Sequence, residues 1–132
     1  MKHTKQIVAS GAFSGAFAVI AGAFGTHFLS ALLNEKQLNI FEVGVRYQMY
    51  HALALIVTGI ILGKYPHTFY RYAANCFIAG TSIFSGSLYL LSTSELWYGT
   101  YIGWLGAITP VGGLLLIAGW FFLGSGALKS IK

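Results

Sequence analysis

Four apolar stretches, each long enough to cross a bilayer, fill almost all of this 132-residue chain, and no other feature constrains its fold as tightly. They run from about Ile7 to Leu29, Val43 to Leu62, Tyr70 to Leu91 and Tyr101 to Leu123. The hydrocarbon core of a bilayer is about 30 Å thick, so a helical span needs about 20 residues. At that depth no water is present to pair with backbone N–H and C=O groups, and a helix satisfies them within one segment. Only 8% of the residues are charged, against roughly 25% in a soluble domain, so most of the surface has to face lipid. The expected fold is all-α, an integral membrane four-helix bundle, with residues 1–132 forming a single transmembrane domain.

The first stretch follows Lys2 and Lys5 as a signal peptide would. It is longer than the ~7–15-residue apolar part of such peptides, which predicts a retained helix. Four spans would put Lys2, Lys5, Lys64, Arg71, Lys129 and Lys132 on one side of the membrane. The other side would carry Lys36, Arg46 and all three glutamates. Positive residues stay cytoplasmic, so both termini are expected inside, in the cytoplasmic (inner) membrane. The net charge of +5 is scattered singly at the ends of apolar runs. That suits anionic lipid and excludes the basic stripe a nucleic acid would need. Cys76 is the only cysteine, which rules out an intrachain disulfide and suits an inert packing role.

In lipid, helices associate through close backbone approach more than through hydrophobic burial. In the first span Ser10, Ser14, Ala18, Gly22 and Thr26 recur every fourth residue, with Gly11 and Gly15 beside them. This small-residue face is expected to pack on another helix, of the same chain or of a second copy. Thr109-Pro110-Val111-Gly112-Gly113 reads as a break inside the fourth helix, since proline removes a backbone donor.

The hexad Arg46-Tyr47-Gln48-Met49-Tyr50-His51 interrupts the second apolar run with side chains that need partners. Glu42 and Arg46 are one helical turn apart, a spacing that permits an ion pair at the membrane boundary; alternatively Arg46 could hold an anionic ligand such as a lipid phosphate. Chain order places the hexad in the outer half of helix two. The same leaflet then receives His27, Ser85, Ser87, Tyr89 and Thr109, so the expected ligand or structural polar cluster is His27, Glu42, Arg46, Tyr47, Gln48, Tyr50, His51, Ser85, Ser87, Tyr89 and Thr109. His27 and His51 without a definite third ligand do not define a metal or haem site. No metal, cofactor or catalytic residue is expected, because the chain lacks aspartate, a nucleophile motif and a phosphate-binding loop.

Four segments in order are similar to one known family. They are Gly22 to His27 (GAFGTH), Arg46 to Leu55 (RYQMYHALAL), Phe84 to Leu91 (FSGSLYLL) and Leu105 to Gly113 (LGAITPVGG), followed by Gly119-Trp120. They resemble the small membrane proteins of the domain of unknown function 423 family. Thr26 stands where the family pattern usually has alanine, and the turn from Glu95 to Tyr101 is longer than is common there. The resemblance implies a four-span inner-membrane protein and carries no reaction, ligand or partner with it. The functional expectation is a non-enzymatic multi-pass protein, structural or lipid-interacting, with membrane lipids as partners. The alternative is a small transporter or channel subunit, a homo-oligomer packed through the Gly11/Gly15 face.

Overall fold

A computed structural model describes residues 2–130, with side chains from His3 onward. Lys132 and the side chain of Lys2, both counted above in the charge asymmetry, lie outside the described residues. Four helices carry the fold: α1 (Lys2–His27), α2 (Glu35–Lys64), α3 (Thr68–Tyr98) and α4 (Thr109–Ser130), with short 3-10 turns at Leu29–Ala31 and Gly103–Ala107. All four are long and apolar enough to cross a membrane. They run antiparallel in sequence order, so one end of the bundle carries the start of α1 and the end of α4, and the other carries the two 3-10 turns. Each helix packs chiefly on its neighbours in sequence, which makes α2 and α3 the centre and leaves α1 and α4 as flanks.

Local chemistry sets the helix ends, and it moves several of them from where hydropathy put them. α2 begins at Glu35, not at Val43, because Asn34 and Gln37 close a reciprocal capping box that pairs two otherwise orphaned N–H groups. Ile40, Phe41, Val43 and Val45 are therefore helical. α3 continues past Leu91 to Tyr98 and stops at Gly99, whose left-handed φ of 69° only glycine adopts cheaply. α4 starts at Thr109, not at Tyr101. Pro110 thus occupies the first turn of the helix, where its missing N–H has no partner to lose. The expected break at Pro110, Gly112 and Gly113 is a helix start.

Two interfaces use the same device. Along α4, Gly112, Gly119 and Gly126 recur every seventh residue, and along α3 so do Phe84, Phe77 and Tyr70. A Cβ on each of these glycines would lie within 3 Å of its aromatic partner: 2.5 Å from the Phe84 backbone N, 2.6 Å from the Phe77 ring and 2.8 Å from the Tyr70 ring. The Phe77 and Tyr70 rings fill the notches at Gly119 and Gly126, the Phe84 backbone fills the one at Gly112, and a seven-residue period keeps such a seam facing its partner. Tyr70 also donates its hydroxyl to Ser130 Oγ at 2.7 Å, which in turn donates to the Gly126 carbonyl.

α1 meets α2 through Gly11 against Ala52 and Ile56, Gly15 against Ala52, Gly22 against Val45 and Gly25 against Phe41. Of the expected packing residues, Gly11, Ser14, Gly15, Ala18 and Gly22 lie at or beside this seam, and Ser10 and Thr26 are exposed. A four-residue repeat gains about 40° on the helical turn at each step, so the stripe drifts off the face. The Gly11/Gly15 face packs on α2 of the same chain.

Candidate functional site

The middle of α2 holds the polar centre. With the helix beginning at Glu35, the hexad at 46–51 spans the midpoint of a 30-residue helix. Gln48 and His51, one turn apart, are both buried. Gln48 donates through Nε2 to the Ser14 carbonyl of α1 at 3.0 Å and accepts from the Tyr89 hydroxyl of α3 at 2.8 Å. One amide thereby joins three helices.

His51 reaches the fourth. Its Nδ1 lies 2.7 Å from the Tyr47 carbonyl, and its Nε2 lies 3.1 Å from Nε1 of Trp120 on α4. A carbonyl can only accept and an indole N–H can only donate. Nδ1 therefore carries the ring's proton, Nε2 accepts, and the neutral imidazole has both nitrogens engaged. Ser85 Oγ donates to the Gly44 carbonyl at 2.7 Å, bonding α3 to α2. Ser87 Oγ donates to the Phe84 carbonyl and so receives the Thr109 hydroxyl at 2.7 Å, bonding α4 to α3. Among the described residues no buried side-chain nitrogen or oxygen lacks a hydrogen-bond partner.

Of the expected cluster, the structure ties Gln48 to Tyr89, Ser87 to Thr109, Ser85 to the Gly44 carbonyl, and His51 to Trp120 and the Tyr47 carbonyl, as separate bonds spaced along the bundle. It leaves out His27, Glu42 and Arg46, all exposed. Glu42 and Arg46 make no ion pair with each other, because i,i+4 spacing allows contact without imposing it. His27 ends α1 level with Ile40, about 16 Å along α2 from His51 at 1.5 Å per residue. Sequence reasoning missed Trp120, Gly44 and the Ser14 carbonyl. It also missed a tie at the far end, where Gln37 Nε2 donates to Glu95 Oε2 at 2.6 Å and links the start of α2 to the end of α3. Trp120 offered a signal: tryptophans favour membrane boundaries, and this one lies in mid-span.

Beside the polar layer, α2 and α4 stand apart over α3 and enclose an open cleft of about 700 Å³. Tyr47, Tyr50, His51, Phe84, Gly113 and Trp120 line it together with Leu53, Leu116 and Ile117. The Tyr47 and Phe84 rings lie 4.7 Å apart, and Trp120 meets Phe77 edge-on at 5.3 Å. This volume falls in the range of ligand pockets. Its wall is largely ring and methyl, and its imidazole is committed to protein partners, so it suits an apolar body.

A family model described as "Protein of unknown function (DUF423)" matches residues 21–113. A UPF0382 membrane protein of Staphylococcus haemolyticus is 43% identical over 119 residues, which cover 90% of this chain and 92% of that protein. One of Staphylococcus epidermidis is 41% identical over 125 residues, covering 95% and 97%. The UPF0382 membrane protein YwdK of Bacillus subtilis is 39% identical over 126 residues, covering 95% and 98%. No solved structure matches the chain.

Proposed function

Because the chain belongs to the DUF423 family, small membrane proteins of unknown function, we propose a role that needs no chemistry: it is a non-enzymatic, lipid-interacting protein whose α2/α4 cleft holds an apolar lipid chain. The observation that carries this reading is the cleft itself, about 700 Å³ of aromatic and aliphatic wall beside a polar layer with no buried side-chain group left to bind or react among the described residues. The layer is the scaffold, and it keeps Tyr47, Phe84 and Trp120 in place as walls.

Gly113 allows a direct test. A Cβ there would have its nearest neighbours in the Phe84 ring at 3.8 Å, so a larger side chain enters the cleft without forcing the helices apart. Gly113→Leu is expected to lower the lipid retained after detergent extraction at least fivefold, measured by native mass spectrometry, with thermal stability unchanged. The fivefold figure corresponds to about 1 kcal/mol of lost contact. Retention equal to the parent protein in a folded variant would refute the cleft as a lipid site.

The same reading places the protein in the cytoplasmic membrane with both termini inside. Lys5, Lys64, Arg71 and Lys129 lie at the terminal end of the bundle, and Glu35, Glu42 and Glu95 lie at the other; the positive-inside rule orients such a chain with its basic end in the cytoplasm. An alkaline phosphatase fused after Lys132 is then expected to be inactive, and an active fusion would reverse the orientation.

A further inference from the structure

At the terminal end, α1 and α3 both pack on α2 and leave a groove between them. Two adjoining hollows of about 430 and 340 Å³ occupy it and share His3 and Arg71. Lys5 lines the first, and Gln6, Ser10 and Asn75 line the second. Ser10 and Ile78 continue into a narrower hollow of about 110 Å³ that runs on toward Leu55 and Phe77. This groove opens on the α1 side of α2 and meets the α2/α4 cleft only at His51, and its chemistry differs: basic at the mouth, amide and hydroxyl deeper, then Leu55, Phe77 and Ile78 among the small polar side chains of Ser14, Thr81 and Ser82.

From this order of groups we infer that the groove is a binding site for an anionic glycerophospholipid of the leaflet on the terminal side. Charge supports it. The three side-chain carboxylates of the chain, Glu35, Glu42 and Glu95, all lie at the opposite end, so no acidic side chain competes for His3, Lys5 or Arg71. Two other cations at this end already have partners, Lys64 over the Tyr65 ring and Lys129 over the Phe69 ring. The cations of the groove make no such contact among the described residues.

Depth supports it as well. Asn75 lies one turn beyond Arg71, about 6 Å further along α3. A glycerophospholipid presents its phosphate first, its ester carbonyls next and its chains last. Arg71 and Lys5 match the phosphate, and the Gln6 and Asn75 amides and the Ser10 hydroxyl are donors at the level of the esters. These three side chains are exposed and make no hydrogen bond to another described residue. Polar groups at the edge of the hydrocarbon are costly without a partner, and the lipid esters provide one.

The test compares the full chain with Arg71→Gln, Asn75→Leu and, as a control of equal charge loss at an exposed position away from the groove, Arg46→Gln. Each is reconstituted in vesicles of equal parts phosphatidylglycerol and phosphatidylcholine, extracted in mild detergent and weighed by native mass spectrometry. Retained phosphatidylglycerol is expected to exceed phosphatidylcholine in the parent protein and in Arg46→Gln. It should fall at least fivefold in Arg71→Gln, from about 1 kcal/mol per basic residue near the headgroups, and fall in Asn75→Leu with the charge intact. Equal losses in Arg71→Gln and Arg46→Gln would overturn the site. Displacement of the lipid by inorganic phosphate alone would assign the site to free phosphate. A dimer that dissociates in Asn75→Leu would assign the groove to a second copy. Retention of phosphatidylglycerol by Gly113→Leu is expected, which keeps this site distinguishable from the cleft.

Discussion

Gly112→Ala is expected to destabilise the bundle more than any other single added methyl group, by about 3 kcal/mol, the upper part of the range for overpacking a well-packed core. The new Cβ would stand 2.5 Å from the Phe84 backbone N and 2.8 Å from its Cα. A ring can tilt away from an intruding methyl, but a helix backbone cannot. α3 and α4 would therefore have to separate, and dispersion contacts would weaken along the whole seam of Gly112, Gly119 and Gly126. At Gly119 the obstacle is the Phe77 ring, which has some freedom to move, so Gly119→Ala should cost less. Gly113→Ala is the control: its nearest neighbours are 3.8 Å away, and alanine favours a helix over glycine by up to about 1 kcal/mol. Midpoints of unfolding in SDS, compared across the three variants, check the order. Equal midpoints for Gly112→Ala and Gly113→Ala would show that the helices are not held at this distance.

Gln48→Leu is the second large effect. It removes the acceptor of the Tyr89 hydroxyl and the donor to the Ser14 carbonyl in one step. Interhelical hydrogen bonds in membranes average only about 0.6 kcal/mol each, so the lost bonds alone are modest. Leaving the Tyr89 hydroxyl with no acceptor adds about 1–3 kcal/mol, and that penalty dominates. The double variant Gln48→Leu/Tyr89→Phe removes the orphaned hydroxyl and should recover more than half of the loss. If the two substitutions destabilise additively, the penalty arises from packing around position 48 and the bond is incidental.

The four spans were legible because charge is so scarce that the apolar runs cannot belong to a soluble surface. Their ends were less so. Hydropathy marks the part of a helix that sits in hydrocarbon, while α2 and α3 extend into the polar zone under the control of Asn34 and Gly99. The start of α4 was misread because Tyr101 and Trp104 look like the entry of a span, although Thr109-Pro110 is the better helix N-terminus.

Within the site, Gln48 and His51 stood out as polar groups in an apolar run, and both are buried as expected of groups with partners. Arg46 belonged to the same run, but residues two and five positions apart on a helix point in different directions, and it faces outward. The glycine–aromatic seam escaped notice because its two halves lie in different helices. Neither the aromatic spacing on α3 alone nor the glycine spacing on α4 alone says which ring fills which notch.

Because each helix packs on the next in sequence, the helices can assemble in the order in which they are synthesised. Once α2 has entered the bilayer behind α1, the seam from Gly11 to Gly25 can close and Gln48 can reach the Ser14 carbonyl. The Tyr89 hydroxyl and the Trp120 indole have not yet arrived. The emerging hairpin must therefore carry an incomplete Gln48 and an imidazole with one nitrogen open until α3 and α4 insert. The polar layer thus closes in two stages, Gln48 with the third helix and His51 with the fourth, a latch that sets fully only when Trp120 is in place.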